Sequence, residues 1–305
     1  MLGESRSNVK ATQSGGTFRF TELFSMASTS HEQDNKAGIF FSSTLLLWLV
    51  SVLFEIVFNN RKELSCIIAG ACFYQIANRV IRYLISRDPL FVNTSVSLLH
   101  STITSLSVVS ILVTQWLRNG SSGMFEHSQL VGDTWQWAYP ALCFSCGYFA
   151  YDQWDMLQYR LYSGLIPSIL VHHLLLLICF TLALYRNVTI NYLLLTLICE
   201  LHSIFLHVRK VRRMAGIRNP KSRFVKVEWV LNWITFVFAR FTSHILITVK
   251  LIRDAHKFEQ GIVLPLALFG MAGMNLLNIF LGIDLFNAFR REKKPQQMNN
   301  NHHDE

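Results

Sequence analysis

The feature that most constrains this chain is the length of its apolar segments. They run for about 18–25 residues, which is the length a helix needs to cross a hydrocarbon core of about 30 Å. Backbone groups in lipid must be satisfied within the segment, so such segments are helices, and alternating ten-residue barrel strands do not fit them. The sequence therefore predicts an all-α, multi-pass transmembrane bundle of about eight spans. The predicted spans are 39–58, 64–84, 94–117, 136–152, 166–185, 188–208, 227–251 and 262–285.

Composition supports a membrane protein and argues against other classes. Of the 305 residues, 51% are hydrophobic and 15% are charged, against about 25% charged in soluble domains. The net charge is +9, but the basic residues sit at the edges of apolar blocks, so we do not expect nucleic-acid binding. Cys143 and Cys146 form a CxxC without a second pair of ligands, and we therefore expect neither a metal nor another cofactor.

The chain divides into four parts by composition. Residues 1–38 are polar and are expected to form a disordered cytoplasmic tail without a cleaved signal peptide. Residues 39–63 hold an extra N-terminal transmembrane helix and a loop. Residues 64–290 form the main helical domain. Residues 291–305 are a basic and polar tail that we also expect in the cytoplasm.

Basic residues set the expected orientation. The loop 209–226 carries eight Lys or Arg and no acid, and a second basic cluster follows at 290–294, two spans later. By the positive-inside rule both face the cytoplasm, which places the glycosylation sequons at Asn119 and Asn187 outside. If 64–84 were only an interfacial helix, the N-terminus alone would move outside. The loop 209–226 is either a topology signal only or, in addition, a site for anionic lipid.

Ionisable and polar residues within the spans are the candidates for function, because such groups are costly in lipid and usually face a cavity. The candidates are His100, Asp152, His172, His173, Glu200, Asn232 and Arg240. Three interpretations are open. Histidine and glutamate could act on an acyl carbonyl, the groups could hold a lipid headgroup without chemistry, or they could form interhelical hydrogen bonds.

Spacing adds detail to these candidates. Asn232 and Arg240 are eight residues apart and share a helix face, whereas the adjacent His172 and His173 point about 100° apart, so at most one is central to a cavity.

Arg240 lies near the middle of its span and needs a partner, because its guanidinium stays charged. We expect Glu200 as that partner, with Asp152 as the second choice. If neither carboxylate approaches it, Arg240 is expected to anchor a lipid headgroup.

An ordered set of motifs resembles the TLC-domain superfamily, which includes the translocating-chain-associating membrane protein and the ceramide synthases. The resemblance covers about residues 64–290, and it implies a six-helix core around a cavity. The motifs are Arg87-Asp88-Pro89-Leu90, Ser97-Leu98-Leu99-His100-Ser101, Gly147-Tyr148-Phe149 with Asp152, Val171-His172-His173, Glu200 to Leu206, and Asn232 with Phe238-Ala239-Arg240.

Within that superfamily the chain is most similar to TLC domain-containing proteins 1 and 2. This resemblance implies a regulator of phospholipid acyl composition and membrane fluidity that limits the incorporation of polyunsaturated acyl chains. It implies membrane phospholipids or fatty acyl chains as partners. It also implies the plasma membrane as the location, with the endoplasmic reticulum as the alternative.

The chain departs from the ceramide synthases at one position. Their motif has a histidine pair and then two aspartates three residues apart. Here the pair matches His172 and His173, the first aspartate position is Glu200, and the second is Ser203. Loss of one carboxylate favours a protein that is not an enzyme. The alternative is a diverged lipid acyltransferase that uses His172, His173 and Glu200.

Overall fold

The computed structural model describes residues 15–162, 168–219, 222–258 and 261–300, and these residues form helices joined by short turns. No strand occurs within those ranges. The helices are α1 Gly15–Val57, α2 Ser65–Leu84, α3 Pro89–Met124, α4 His127–Val131, α5 Ala138–Gln158, α6 Ser168–Arg186, α7 Ile190–Thr196, α8 Glu200–Met214, α9 Arg223–Thr235, α10 Ser243–Arg253 and α11 Val263–Asn300. A 3₁₀ turn, Leu197–Cys199, joins α7 to α8, and a π-helical segment, Phe236–Thr242, joins α9 to α10.

Seven segments among the described residues are long and apolar enough to cross a membrane. They confirm the predicted all-α, multi-pass bundle and include the second predicted span, 64–84. The segments are Asn35–Val57, Lys62–Leu84, Pro89–Met124, Ile169–Arg186, Ile190–Met214, Arg223–Arg253 and Val263–Glu292.

The fourth predicted span, 136–152, corresponds to α5, which is not among those seven. This helix has 21 residues, or about 31 Å at 1.5 Å per residue, and is long enough to cross. It packs against α2, α3 and α6, and most of its side chains are buried. Because protein rather than lipid covers α5, its sequence does not need to be strongly apolar.

Contacts at the two ends of the bundle show that successive passes alternate in direction. At one end Arg61, before α2, donates to the carbonyl oxygens of Leu184 and Tyr185 at the end of α6. At the other end Phe41 of α1 packs with Met156 of α5 and Leu170 of α6. The second end also holds the end of α8 and the start of α9, and we call it the basic end.

The predicted N-terminal tail differs from the structure in part. Helix α1 begins at Gly15, within the segment 1–38 for which we expected disorder, and residues 1–14 lie outside the described residues. The described part contains no proline, so nothing interrupts the helix before the membrane. Helix α11 continues to Asn300, so it includes part of the predicted basic and polar tail 291–305, for which no secondary structure was predicted.

Candidate functional site

Two aspartates on the central helix α5 form the first polar centre. The side-chain amide of Asn93, on α3, donates to Asp152 at 2.8 Å and to Asp155 at 3.0 Å. Asn78, on α2, donates to Asp155 at 3.0 Å. All four side chains are buried. Two amides from two helices therefore hold a pair of carboxylates inside the bundle, and we call these four residues the carboxylate centre.

His173 lies against this centre. Its Nδ1 is 3.3 Å from a carboxylate oxygen of Asp152, although the two are not aligned as a hydrogen bond. Its ring also contacts Phe149, with centroids 5.5 Å apart. The nearest carboxylate of the buried histidine is thus Asp152, from the preceding helix.

His172 is directed elsewhere, as expected for adjacent residues on a helix. It is partly exposed and lies in the electrostatic range of Arg240 and His244. Its Nδ1 is buried and has no hydrogen-bond partner among the described residues. His173 therefore lies against the carboxylate centre, whereas no ion pair or hydrogen bond joins His172 to it among the described residues.

His100 is enclosed by aromatic rings. Its imidazole stacks on Tyr148 at a centroid distance of 3.6 Å and an angle of 5°. Its Nδ1 lies 3.3 Å from the hydroxyls of both Tyr74 and Thr104. These contacts hold the ring in place between α2, α3 and α5, and they give His100 a packing role in this structure.

Glu200 begins α8 and turns towards α3. It accepts a hydrogen bond of 2.7 Å from the hydroxyl of Ser101. The side chain is buried, and it lies close enough to His173 and Tyr74 for electrostatic interaction. Within the described part of the chain no hydrogen bond or ion pair joins Glu200 to either histidine of the pair. The three candidate catalytic residues are therefore neighbours, but they do not form a bonded triad.

Arg240 forms the second polar centre, and its predicted ion pair is wrong. Its Nη2 donates to the hydroxyl of Ser203 at 2.7 Å and to the carbonyl of Cys199 at 3.4 Å. Its Nη1 donates to the side-chain oxygen of Asn278 at 3.4 Å. In the described ranges neither Glu200 nor Asp152 pairs with it, because Glu200 faces Ser101 instead. We call Arg240, Ser203 and Asn278 the arginine centre.

Asn232 is fully buried but does not join the arginine centre. Its amide donates to the carbonyl oxygens of Glu228 at 2.9 Å and of Phe205 at 3.3 Å, so it ties α9 to α8. The prediction of a shared face with Arg240 assumed a regular α-helix. The π-helical segment Phe236–Thr242 begins four residues after Asn232 and contains Arg240, so it changes the helical phase between the two residues.

An apolar cavity of about 200 Å³ lies between α6, α7, α10 and α11. Arg186 stands at its outer end. Its inner end lies within one helical turn of polar residues on all four passes, and one of these, Asn278, belongs to the arginine centre. The four lining residues there are Leu175, Thr196, Ile247 and Met274, and the polar residues one turn away are His172, Glu200, His244 and Asn278.

Five members of the two centres were not among the predicted site residues, and neither was Ser101, the partner of Glu200. The five are Asn78, Asn93, Asp155, Ser203 and Asn278. A signal for Asn93 and Ser101 was present, since Asn93, Ser97, His100 or Ser101, and Thr104 recur at helical spacing and form one polar stripe on α3. For a metal, the described residues contain no group of three potential ligands.

Fold and site together define a multi-pass helical membrane protein with buried polar centres beside an apolar cavity. The sequence pattern of the TLC domain matches residues 90–287, which comprise the last six passes of the bundle. Because this is more than half of the chain, the protein belongs to the TLC-domain family. The matched range lies within the predicted domain 64–290.

Curated relatives agree with this assignment. The chain is 28% identical to the mouse (Mus musculus) TLC domain-containing protein 2 over 207 residues, which cover 67% of this chain and 62% of the relative. It is 29% identical to the zebrafish (Danio rerio) protein of the same name over 154 residues, which cover 42% of this chain and 58% of the relative. The chain thus spans about three fifths of the length of these relatives. No solved structure matches the chain.

Proposed function

We propose that this protein regulates the acyl composition of membrane phospholipids by binding an acyl lipid in its bundle. In this proposal it limits the incorporation of polyunsaturated acyl chains and so sets the fluidity of the plasma membrane. The endoplasmic reticulum is the alternative location. The resemblance to TLC domain-containing proteins 1 and 2 supports the process, and the arginine centre supports the binding step.

The single observation that carries the proposal is the environment of Arg240. A charged group at membrane depth costs about 2.5–3.5 kcal/mol on insertion scales. Arg240 is only 9% exposed, its contacts are neutral oxygens, and its Nε has no hydrogen-bond partner among the described residues. A cation in this state stabilises an anionic or strongly polar ligand group beside it.

The apolar cavity would hold the hydrocarbon part of an amphiphile whose polar group lies beside Arg240. It is lined mainly by leucine, isoleucine, valine and methionine side chains, which suit a hydrocarbon chain. An acyl chain in the cavity would place its carboxylate, ester or phosphate near Arg240. The arrangement fits lipid binding without requiring any bond to be made or broken.

Lipidomics of cells that lack the protein tests the proposal. Loss should raise the polyunsaturated fraction of phospholipids, and the wild-type chain should restore it. Arg240→Gln should fail to restore it although the variant reaches the membrane. The matched control is Arg253→Gln, which removes one guanidinium at the outer end of the same pass. Equal rescue by Arg240→Gln and the wild type would contradict the proposal.

The contact between His173 and Asp152 favours a second candidate, a diverged lipid acyltransferase. A carboxylate next to Nδ1 favours the tautomer in which Nε2 can accept a proton. His173 would take the proton of an acceptor hydroxyl as that oxygen attacks an acyl ester or thioester carbonyl. The proton would then pass to the departing alkoxide or thiolate, with His172 and Glu200 nearby.

Turnover by the purified protein separates the two candidates. An acyltransferase should convert a labelled acyl thioester and a lysophospholipid to product, and His173→Ala should abolish that conversion. The matched control is His127→Ala, because His127 lies 3.6 Å from Asp254 in another histidine–aspartate contact at the outer end. If the purified protein binds lipid without any turnover, the result contradicts the acyltransferase and agrees with the regulatory function.

A further inference from the structure

A separate cavity of about 600 Å³ opens at the basic end, between the second half of α8 and residues 281–292 of α11. None of its lining residues belongs to the carboxylate centre, the arginine centre or the apolar cavity. Leu206 and Leu281 lie one helical turn from Ser203 and Asn278, on the side of the arginine centre that faces the basic end. Charged residues line one part of it and apolar residues the other. The lining comprises Leu206, Arg209, Lys210, Arg213, Arg218, Leu281, Asp284, Leu285, Ala288, Arg291 and Glu292.

The cavity has an excess of positive charge. Five of its lining residues are basic and two are acidic. Glu292 is engaged by Arg218 at 2.7 Å, and Arg218 also contacts Glu228 at 2.8 Å. The other four basic residues form no ion pair in the part of the chain that the structure describes, and Asp284 is the remaining acid. These four are Arg209, Lys210, Arg213 and Arg291.

Two of the guanidinium groups are held in place. Arg209 lies over the ring of Trp229 at 4.5 Å, and Arg218 is fixed by its two carboxylates. Arg209 Nε and Arg218 Nη2 are nevertheless buried without a hydrogen-bond partner among the described residues. Buried donors in this state are costly unless a ligand accepts from them. The cavity thus offers hydrogen-bond donors with a fixed orientation in addition to its net positive charge.

The chemistry of the lining suits a phosphate group joined to an apolar chain. Guanidinium and ammonium groups match the oxygens of a phosphate. The apolar residues Leu206, Leu281 and Leu285 lie deeper along the same helices, towards the membrane interior, and suit the start of acyl chains. We propose that this cavity binds the phosphate-bearing headgroup of an anionic phospholipid from the leaflet at the basic end. A soluble phosphate compound would use the basic residues but not the apolar wall.

Native mass spectrometry of the full chain in detergent tests the proposal, with phosphatidic acid as the probe. Phosphatidic acid should bind more tightly than phosphatidylcholine. The double variant Lys210→Gln with Arg213→Gln should weaken its binding about 30-fold, which corresponds to about 2 kcal/mol. Both side chains are exposed, so the fold should persist, and thermal unfolding checks that it does.

A second double variant tests whether the cavity or the overall positive charge accounts for the binding of phosphatidic acid. Arg223→Gln with Lys226→Gln removes two exposed basic residues at the same end but outside the cavity, and it should change the affinity less than threefold. An equal loss in both double variants would overturn the proposal. So would binding of glycerol 3-phosphate, the soluble counterpart of the headgroup, as tightly as phosphatidic acid.

Discussion

The guanidinium of Arg240 donates a 2.7 Å hydrogen bond to the hydroxyl of Ser203. Ser203 occupies the position of the second aspartate in the ceramide synthase motif that the chain resembles. The substitution therefore leaves a buried cation facing a neutral side chain. A carboxylate at this position would neutralise the cation, and its absence leaves the charge available to a ligand.

Ser203→Asp should convert the arginine centre from a ligand site into an ion pair. The new carboxylate would occupy the donors of Arg240, so the affinity for a labelled fatty acid should fall at least about tenfold, or about 1.4 kcal/mol. Equilibrium binding to the purified protein measures this. Ser203→Asn introduces a side chain with nearly the same shape as aspartate but without its charge, and this variant should change the affinity much less. Similar losses in both variants would argue against an anion at Arg240.

Asn93→Ala should destabilise the bundle by removing the amide that bridges Asp152 and Asp155. Leaving a buried acceptor unsatisfied costs about 1–3 kcal/mol, and here two carboxylates lose a donor at once. Thermal unfolding in detergent should show a clear decrease for this variant. Asn119→Ala, at an exposed position on the same helix, is the control and should unfold near the wild-type temperature. An unchanged Asn93→Ala would mean that the carboxylate centre contributes little to stability.

The multi-pass fold could be predicted because long apolar blocks mark the segments that can cross the membrane. The predicted span 136–152, which corresponds to α5, was included for its length although its sequence is comparatively polar. What length could not indicate is that α5 is the buried central helix. That follows from its packing against α2, α3 and α6, which depends on contacts between distant parts of the chain.

The partners of the site residues were harder to predict than their burial. The sequence predicts that Arg240 and Glu200 meet because they lie within adjacent spans and both side chains are long. The bond between Glu200 and Ser101 joins residues 99 positions apart, and the π-helical segment moves Arg240 relative to a regular helix. Neither the bond nor the change in helical phase leaves a periodic signal. The polar stripe that begins at Asn93 does leave one, and a search at helical spacing would have found it.

Gly147→Ala should separate α2 from α5. A methyl group at Gly147 would fall on the carbonyl oxygen of Ile67 and lie 2.7 Å from the backbone nitrogen of Ala71. Backbone atoms cannot move aside cheaply, and overpacking of this kind costs about 1–3 kcal/mol. Thermal unfolding should therefore occur at a lower temperature. Gly123→Ala, whose new methyl would meet only Asn119 at 3.4 Å, is the control and should be tolerated.

Orientation in the membrane is testable with epitope tags. The cluster at 209–226 predicts that a tag at residue 216 and a tag after residue 294 both face the cytoplasm. Antibody should reach either tag only after the plasma membrane is permeabilised. A tag at Gly132, in the turn after α4 at the opposite end, is the positive control and should be stained on intact cells. Staining of the tag at 216 without permeabilisation would reverse the orientation.

Asp254, just beyond the end of α10, should make stability depend on acid pH. Burial acts to raise the pKa of Asp254, but the hydrogen bond and charge of Lys250, together with Lys257 and His127, outweigh it and lower that pKa. A folded-state pKa below the unfolded value of about 3.9 stabilises the protein above that value, and this contribution is lost as the pH falls through the folded pKa. The difference in unfolding temperature between wild type and Asp254→Asn should therefore be present at pH 7 and shrink between about pH 5 and pH 3. Asp133→Asn, an exposed acid at the same end, controls for the loss of one charge. A difference that persists unchanged at pH 3 would show that Asp254 contributes through packing and not through its charge.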